Sequence, residues 1–373
     1  MDTVYQCYAA AAFGMEGLIA SELKRSGAAD VSAENGGVFF RASAAELFRM
    51  NLLMHFTDRL FIILYRGECR TFDRLFTQVN DLDWPSFFSG NESIDVSCKC
   101  TRSTLMSPSD CQSITKKAII EKIRKATGRQ VFPENGSPLP VHLTIRNDEA
   151  MIMLNTSGKA LSRRGYRTWN GEAPLRETLA AALVELSGWR PGQPLHDPCC
   201  GTGTILAEAA LMAAGRAPGA ARPFAMESFA CFRDAGFGRI REEVVSQADF
   251  SKVTGISGSD IDPEALELAC RHMLQAGLEP GAVTLEQIPL QELDLPAENG
   301  VFICNPPYGE RLGDQKQCRA LYHNLFMLKK RHPGWRLCAI SSDPAFERCF
   351  GRKADKKRRL YNGRLECVYY IYY

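Results

Sequence analysis

The stretch Val301-Phe302-Ile303-Cys304-Asn305-Pro306-Pro307-Tyr308-Gly309 runs four apolar residues straight into a pair of prolines. An unbroken apolar run of this length reads as a strand buried on both faces, as in a parallel sheet. Pro307 biases Pro306 towards extended geometry, and neither ring donates to a ladder, so the strand must end there. The end is a carboxyl end, where open α/β sheets keep their ligand crevice. An amide, a rigid bend that bares carbonyls and an aromatic ring thus stand together at a sheet edge.

Those groups suit the amine of a planar base. Its lone pair is delocalised into the ring, which makes it a poor nucleophile. The Asn305 side-chain carbonyl and the Pro306 backbone carbonyl can accept its two N–H bonds and let the nitrogen pyramidalise towards an electrophile. Tyr308 can stack on the base, a contact worth about 1–3 kcal/mol. A rigid turn after a strand explains the same four residues without chemistry, so the reading needs a cofactor site upstream.

Such a site exists. Pro194-Leu195-His196-Asp197-Pro198 reads as a short strand entering Cys199-Cys200-Gly201-Thr202-Gly203-Thr204, and Ile205 to Ala214 reads as a helix. This is a glycine turn at a helix N-terminus, but it is neither G-x-G-x-x-G nor a phosphate-binding loop with its lysine. Gly201 and Gly203 allow a sharp turn and close backbone approach. Asp197 would repel a pyrophosphate and attract a cationic amino-acid group. The next strand, Val253 to Ser259, ends in Asp260, placed to hold ribose hydroxyls. A ligand with an ammonium or sulfonium, a ribose and no phosphate fits: S-adenosylmethionine.

From Pro174 onward strands and helices alternate, the mark of a doubly wound α/β domain. Further strands are expected at Val283 to Ile288 and Arg336 to Ile340, with a closing hairpin around Asn362-Gly363. Residues 216–248 read as an insertion covering one edge. Before residue 157 the pattern is α+β. A helix over Asp110 to Thr127 sets Ile114, Ala118, Ile119 and Ile123 on one face and Lys116, Lys117, Lys122, Arg124 and Lys125 on the other. Lys159, Arg163, Arg164 and Arg167, with Tyr166 and Trp169 interleaved, form a basic run that suits either RNA contact or an interdomain clamp.

With 373 residues the chain has room for two or three domains. Hydrophobic residues make up 45% and charged ones 24%, as in ordinary globular proteins. No apolar run approaches the ~20 residues of a membrane span, and the N-terminus lacks a signal-peptide pattern. The net charge of +2 argues for no nucleic-acid partner by itself, so that case rests on local clusters. The 14 cysteines are scattered, often inside apolar runs, with no C-x-x-C pair. Cys98-Lys99-Cys100 puts two thiols on one strand face without a second half for a zinc site, so no metal is expected and a reducing cytoplasm is.

The order D-P-x-C-G-T-G-T, S-D-I-D-P, N-P-P-Y resembles the amino-group methyltransferases of the class I, Rossmann-like family. The run Gly171 to Ala180, the loop N-P-P-Y-G-E-R-L-G and the tail K-K-R-R-L-Y-N-G-R-L-E-C narrow the likeness to RNA methylases with an N-terminal THUMP domain, of the bacterial RlmL type that makes N2-methylguanosine in 23S rRNA. The resemblance implies a mostly parallel seven-stranded sheet and four regions: a ferredoxin-like segment over 1–45, an RNA-binding THUMP domain over 46–157, a linker over 158–173 and the methyltransferase domain over 174–373. It implies that Asp197, Cys199, Gly201, Thr202, Gly203 and Thr204 line the methionine end of the cofactor. Asp260 would bind its ribose, and Asn305 would border it. Asn305, Pro306, Pro307 and Tyr308 would hold the target base. RNA would meet Lys116, Lys117, Arg124, Lys125, Arg163, Arg164 and Arg167. One departure stands out: after the third strand the family usually places an acidic residue near adenine, and Gln287-Ile288-Pro289-Leu290 has none, which leaves Ile288 or Gln291. Alternatives are a tRNA guanine-N2 or DNA adenine-N6 methyltransferase, a protein-glutamine one, and a non-catalytic RNA-binding protein. A nicotinamide dehydrogenase fits least, because Asp197 stands where a dinucleotide needs neutral backbone.

Overall fold

The computed structural model describes residues 3–167, 175–307 and 315–373. The chain divides into two compact units. One holds the chain up to Ala10, Ile19–Leu161 and Arg222–Glu243; the other holds Ala11–Leu18, Ser162–Ala221 and Val244–Tyr373.

The first unit is built on seven strands: β1 (Val4–Ala10), β2 (Ala29–Glu34), β3 (Gly37–Ser43), β4 (Arg59–Glu68), β5 (Ser93–Thr101), β6 (Pro138–Arg146) and β7 (Glu149–Asn155). They lie in the order β2-β3-β1-β4-β7-β6-β5. The expected boundary between residues 45 and 46 falls inside this one sheet, because β1 pairs with β3 on one side and with β4 on the other. Strict alternation in β6 buries Leu139, Val141, Leu143 and Ile145 and leaves the residues between them less covered. The helix Pro108–Thr127 packs Cys111, Thr115, Ala118, Ile119 and Ile123 inwards. Ser107 caps its N-terminus, and Gly128, at φ 71°, ends it in the left-handed conformation. The β6–β7 turn puts Asn147 and Asp148 at φ 51° and 63°, the mirror-image geometry that short hairpins favour.

Residues 216–248, read above as an insertion covering one edge, are divided between the two units. Arg222–Glu243 belongs to the first unit. Its aromatic residues need an apolar partner, and Phe48 supplies one: Phe237 stacks on it at 4.2 Å and Phe224 meets it edge-on at 5.6 Å. The Arg222 guanidinium donates to the carbonyls of Ser157 (3.1 Å) and Lys159 (2.6 Å).

The second unit carries β8 (Leu195–Asp197), β9 (Ile256–Asp260), β10 (Thr284–Gln287), β11 (Gly300–Cys304), β12 (Trp335–Ser341), β13 (Lys356–Asn362) and β14 (Leu365–Tyr372). Their order is β10-β9-β8-β11-β12-β14-β13. The first five are parallel, and the β13–β14 hairpin adds an antiparallel edge. This is the mostly parallel seven-stranded sheet anticipated above. The strand order reverses between β8 and β11, and ligands of such sheets bind at that switch point. All five residues of β11 are buried, as its apolar run requires.

Candidate functional site

Three strand ends converge at the switch point. β8 delivers Asp197, β9 delivers Asp260, and β11, paired to β8 through Val301–Leu195 and Phe302–His196, delivers Asn305 just past its end. Neighbouring strands lie about 4.8 Å apart, so the register brings Asn305 beside the turn that follows Asp197.

The turn is held by its own backbone. Gly201 and Gly203 have φ of 50° and 75°, a region that side chains avoid. A Cβ on Gly203 would come within 2.9 Å of the Ala269 Cβ, whereas one on Gly201 would meet nothing within 4 Å. Gly203 is therefore fixed by packing, and open space lies over Gly201. The Gly201 N–H donates to Asp260 Oδ2 (2.8 Å), the Cys200 N–H to the Ser259 carbonyl (3.0 Å) and the Cys199 N–H to Asp197 Oδ1 (3.1 Å). Gly203 caps the helix Thr204–Ala213, with Thr204 its first residue. Cys199 and Thr202 are half-buried.

Asp197 is buried. Burial holds its carboxyl well above the usual carboxylate range; the Cys199 N–H works against this and the Asp260 charge adds to it. No cation of the protein pairs with it among the described residues. An unpaired buried carboxylate is costly unless something positive arrives. The room over Gly201 and this missing charge fit the ammonium and sulfonium of S-adenosylmethionine.

Across the switch point, the Asn305 Oδ1 is buried and has no hydrogen-bond partner among the described residues. Buried carbonyl oxygens are nearly always satisfied, so one left open marks an acceptor waiting for a donor. Pro306 is buried and Pro307 half-buried; the Tyr322 hydroxyl donates to the Pro307 carbonyl at 3.3 Å and pins the bend. Tyr308 lies outside the described residues. Ile288 is half-buried against the cluster around Phe302 and Leu337. Ile261, next to Asp260, is 69% exposed, an apolar side chain bared at the rim.

Two histidines were given no role from the sequence. His196 lies between Ser257 Oγ (2.8 Å) and Ser259 Oγ (3.1 Å), tying β8 to β9 beneath the site, and burial pushes its pKa down to about 3. His272 Nδ1 is 3.1 Å from the Thr202 carbonyl and braces the glycine turn from the helix Pro263–Gln275. Neither sits in a motif, and only the fold brings them under the loop.

The basic run is corrected in part. Arg164 is ion-paired with Glu208 at 3.5 Å, their side chains 2% and 1% exposed. Tyr166 donates to Glu208 Oε1 at 2.8 Å, and Arg167 pairs with Glu177 at 3.3 Å. Arg164 and Arg167 thus neutralise carboxylates inside the second unit and are not turned to RNA; Tyr166 is likewise buried. Removing one partner of a buried pair leaves an uncompensated charge, so Arg164→Met should lower the unfolding free energy by about 3–5 kcal/mol in a urea titration. Arg163 is exposed, and Trp169 lies outside the described residues. On the helix Pro108–Thr127, Lys117, Arg124 and Lys125 are exposed, while Lys116 is paired with Glu134 at 2.8 Å.

The thiols of Cys98 and Cys100 lie 3.7 Å apart, and Cys111 comes within 4.0 Å of Cys100 from the facing helix. Burial pushes the Cys111 thiol up to about 12, which keeps it protonated at neutral pH. The C-x-C pair showed two of these thiols; the third is supplied by packing.

Residues 164–371 match the RMKL-like methyltransferase domain, residues 6–61 the RlmL ferredoxin-like domain and residues 69–155 the THUMP domain. The chain belongs to the RMKL-like methyltransferase family. Over 371 residues it is 36% identical to YpsC of Bacillus subtilis (strain 168), covering 99% of this chain and 96% of that protein. It is 35% identical to the ribosomal RNA large subunit methyltransferase K/L of Shewanella frigidimarina (strain NCIMB 400), covering 99% of this chain but only 53% of that enzyme. The chain thus spans about half the length of the K/L enzymes it matches. The crystal structure of SMU.472 complexed with SAH superposes with a TM-score of 0.93 at 38% identity, covering 100% of this chain and 99% of that one. A Listeria monocytogenes str. 4b F2365 protein described as a predicted N6-adenine-specific DNA methylase gives 0.93 at 36% identity, covering 100% and 96%. Among the described residues no helix is long and apolar enough to cross a membrane.

Proposed function

We propose that this methyltransferase moves a methyl group from S-adenosylmethionine to the exocyclic N2 amine of a guanine in 23S rRNA, acting in the cytoplasm. The observation that carries the reading is the open Asn305 Oδ1 one strand away from the glycine turn and the unpaired Asp197. S-adenosylmethionine, when bound, supplies an electrophilic methyl on a sulfonium. Asp197 would hold its amino-acid cation, the turn from Cys199 to Thr204 its methionine end, and Asp260 its ribose. The bared Ile261 and the half-buried Ile288 offer adenine an apolar lining, since the stretch Gln287-Ile288-Pro289-Leu290 carries no acidic residue. Asn305 Oδ1 and the Pro306 carbonyl would accept the two amine N–H groups, aim the nitrogen lone pair and stabilise the ammonium that forms. No strong base is needed, since the proton leaves after attack. Catalysis is then positioning plus fixed dipoles. The motif assigns base stacking to Tyr308. A base inside a helix cannot reach such a pocket, so the nucleotide must be extruded. Lys117, Arg124, Lys125 and Arg163 are the exposed cations proposed to meet RNA phosphates.

Methylation of DNA adenine N6 uses the same cradle, and the likeness to the Listeria protein favours it as the second reading. The THUMP match over residues 69–155 speaks for RNA. Labelled methyl transfer into rRNA, tRNA, DNA and protein fractions, followed by nucleoside analysis, separates them. Label in 23S rRNA as N2-methylguanosine is expected; label confined to DNA would replace the reading.

A further inference from the structure

The sheet of the first unit has helices on one face and a groove of about 1070 Å³ on the other. A sheet face open to water usually carries Thr, Lys and Glu. Here it carries rings. Phe39, Tyr8 and Phe61 stand directly opposite one another across β3, β1 and β4. Their centroids are 5.1 Å (Tyr8–Phe39) and 6.1 Å (Tyr8–Phe61) apart, and His142 continues the file 5.4 Å from Phe61. Tyr8, Phe39 and His142 are half-buried, each with part of its surface open, while Phe61, between Tyr8 and His142 in the file, is buried. Burial and the Arg59 and Lys99 charges lower the His142 pKa, so this ring is neutral at pH 7. Arg59, Lys99, Arg102 and Arg146 rim the groove. Its acids, Glu34 and Glu149, are already paired with Arg66 at 3.8 and 3.2 Å, and Arg66 itself lies over the Phe39 ring at 4.8 Å.

A concave, cationic surface floored by rings fits a ligand that is both polyanionic and flat. Duplex RNA does not qualify, since its bases are already stacked on each other and it presents phosphate and ribose. We infer that the open face of the N-terminal sheet is a platform for unpaired RNA nucleotides, with Tyr8, Phe39 and His142 under the bases and Arg59, Lys99, Arg102 and Arg146 against the phosphates. The inference rests on RNA being the substrate, and it moves the main RNA contact from the helix face carrying Lys117 and Lys125 to the other face of the sheet.

The test uses the full chain, an unstructured RNA oligonucleotide and a hairpin of the same composition, with binding read by fluorescence anisotropy. Phe39→Ala and His142→Ala should each weaken single-strand binding about tenfold, the loss expected for one stacked base. Lys99→Ala and Arg146→Ala, at exposed positions that leave folding intact, should each reduce the slope of log affinity against log salt by about 0.7. If the wild-type chain binds the oligonucleotide and both the ring and the cation variants bind it equally well, the platform is refuted and the function stands. Equal wild-type affinity for the hairpin, or loss only in Lys117→Ala and Lys125→Ala, also overturns it. A wild-type chain that binds no RNA removes the functional reading as well.

Discussion

Asn305→Ala should lower the turnover number by about a hundredfold to a thousandfold, the cost of removing one preorganised dipole from a reacting centre. Folding should be unaffected. The lost oxygen has no partner among the described residues, so its removal frees a buried unsatisfied acceptor instead of creating one. Cofactor affinity should stay close to wild type, because Asp197, Asp260 and the glycine turn remain. Single-turnover methyl transfer with calorimetric titration of the cofactor separates these quantities. A variant that turns over at the wild-type rate would show that Asn305 does not hold the amine.

Asp197→Asn has the second large effect, and it runs in opposite directions for folding and for binding. The Asp197 carboxyl is raised by burial, so the folded chain binds its proton more tightly than the unfolded chain does. Ionisation therefore opposes folding as pH climbs above the unfolded value of about 3.9, and the penalty is in force at neutral pH. Asparagine still offers an oxygen to the Cys199 N–H but never ionises, so the ligand-free variant should melt higher than wild type at pH 7. A cation bound beside Asp197 favours the carboxylate, so binding expels any proton there and wild-type affinity should rise with pH through the raised pKa. Asparagine removes that attraction and that pH dependence. Truncating one partner of a buried charge pair costs about 2–5 kcal/mol, so cofactor affinity should drop at least about thirtyfold. Melting curves and cofactor titrations between acid and neutral pH check both signs. If the variant bound the cofactor like wild type, the carboxylate would have no part in holding it.

How far the sequence reached depends on how local the cause is. β11 was legible because a strand buried on both faces must be apolar throughout, and prolines end it wherever they stand. The turn from Cys199 to Thr204 was legible because two left-handed residues in six demand glycine. β2 was missed: its side chains are nearly all exposed, so it carries no apolar alternation. The basic run misled because charge composition does not say which way a side chain turns; Arg164 and Arg167 point inwards because Glu208 and Glu177 are buried there.

By itself the sequence determined the mostly parallel C-terminal sheet, its switch-point residues and the kind of ligand they suit, since each depends on backbone torsion, strand burial or one charge. Only the tertiary structure decided what those residues meet. It set His196 and His272 beneath the loop, left the Asn305 oxygen open, carried Arg222–Glu243 to the first unit, and laid Phe39, Tyr8 and Phe61 in one row across three strands. Each of those joins residues far apart in the chain, and packing alone fixes such neighbours.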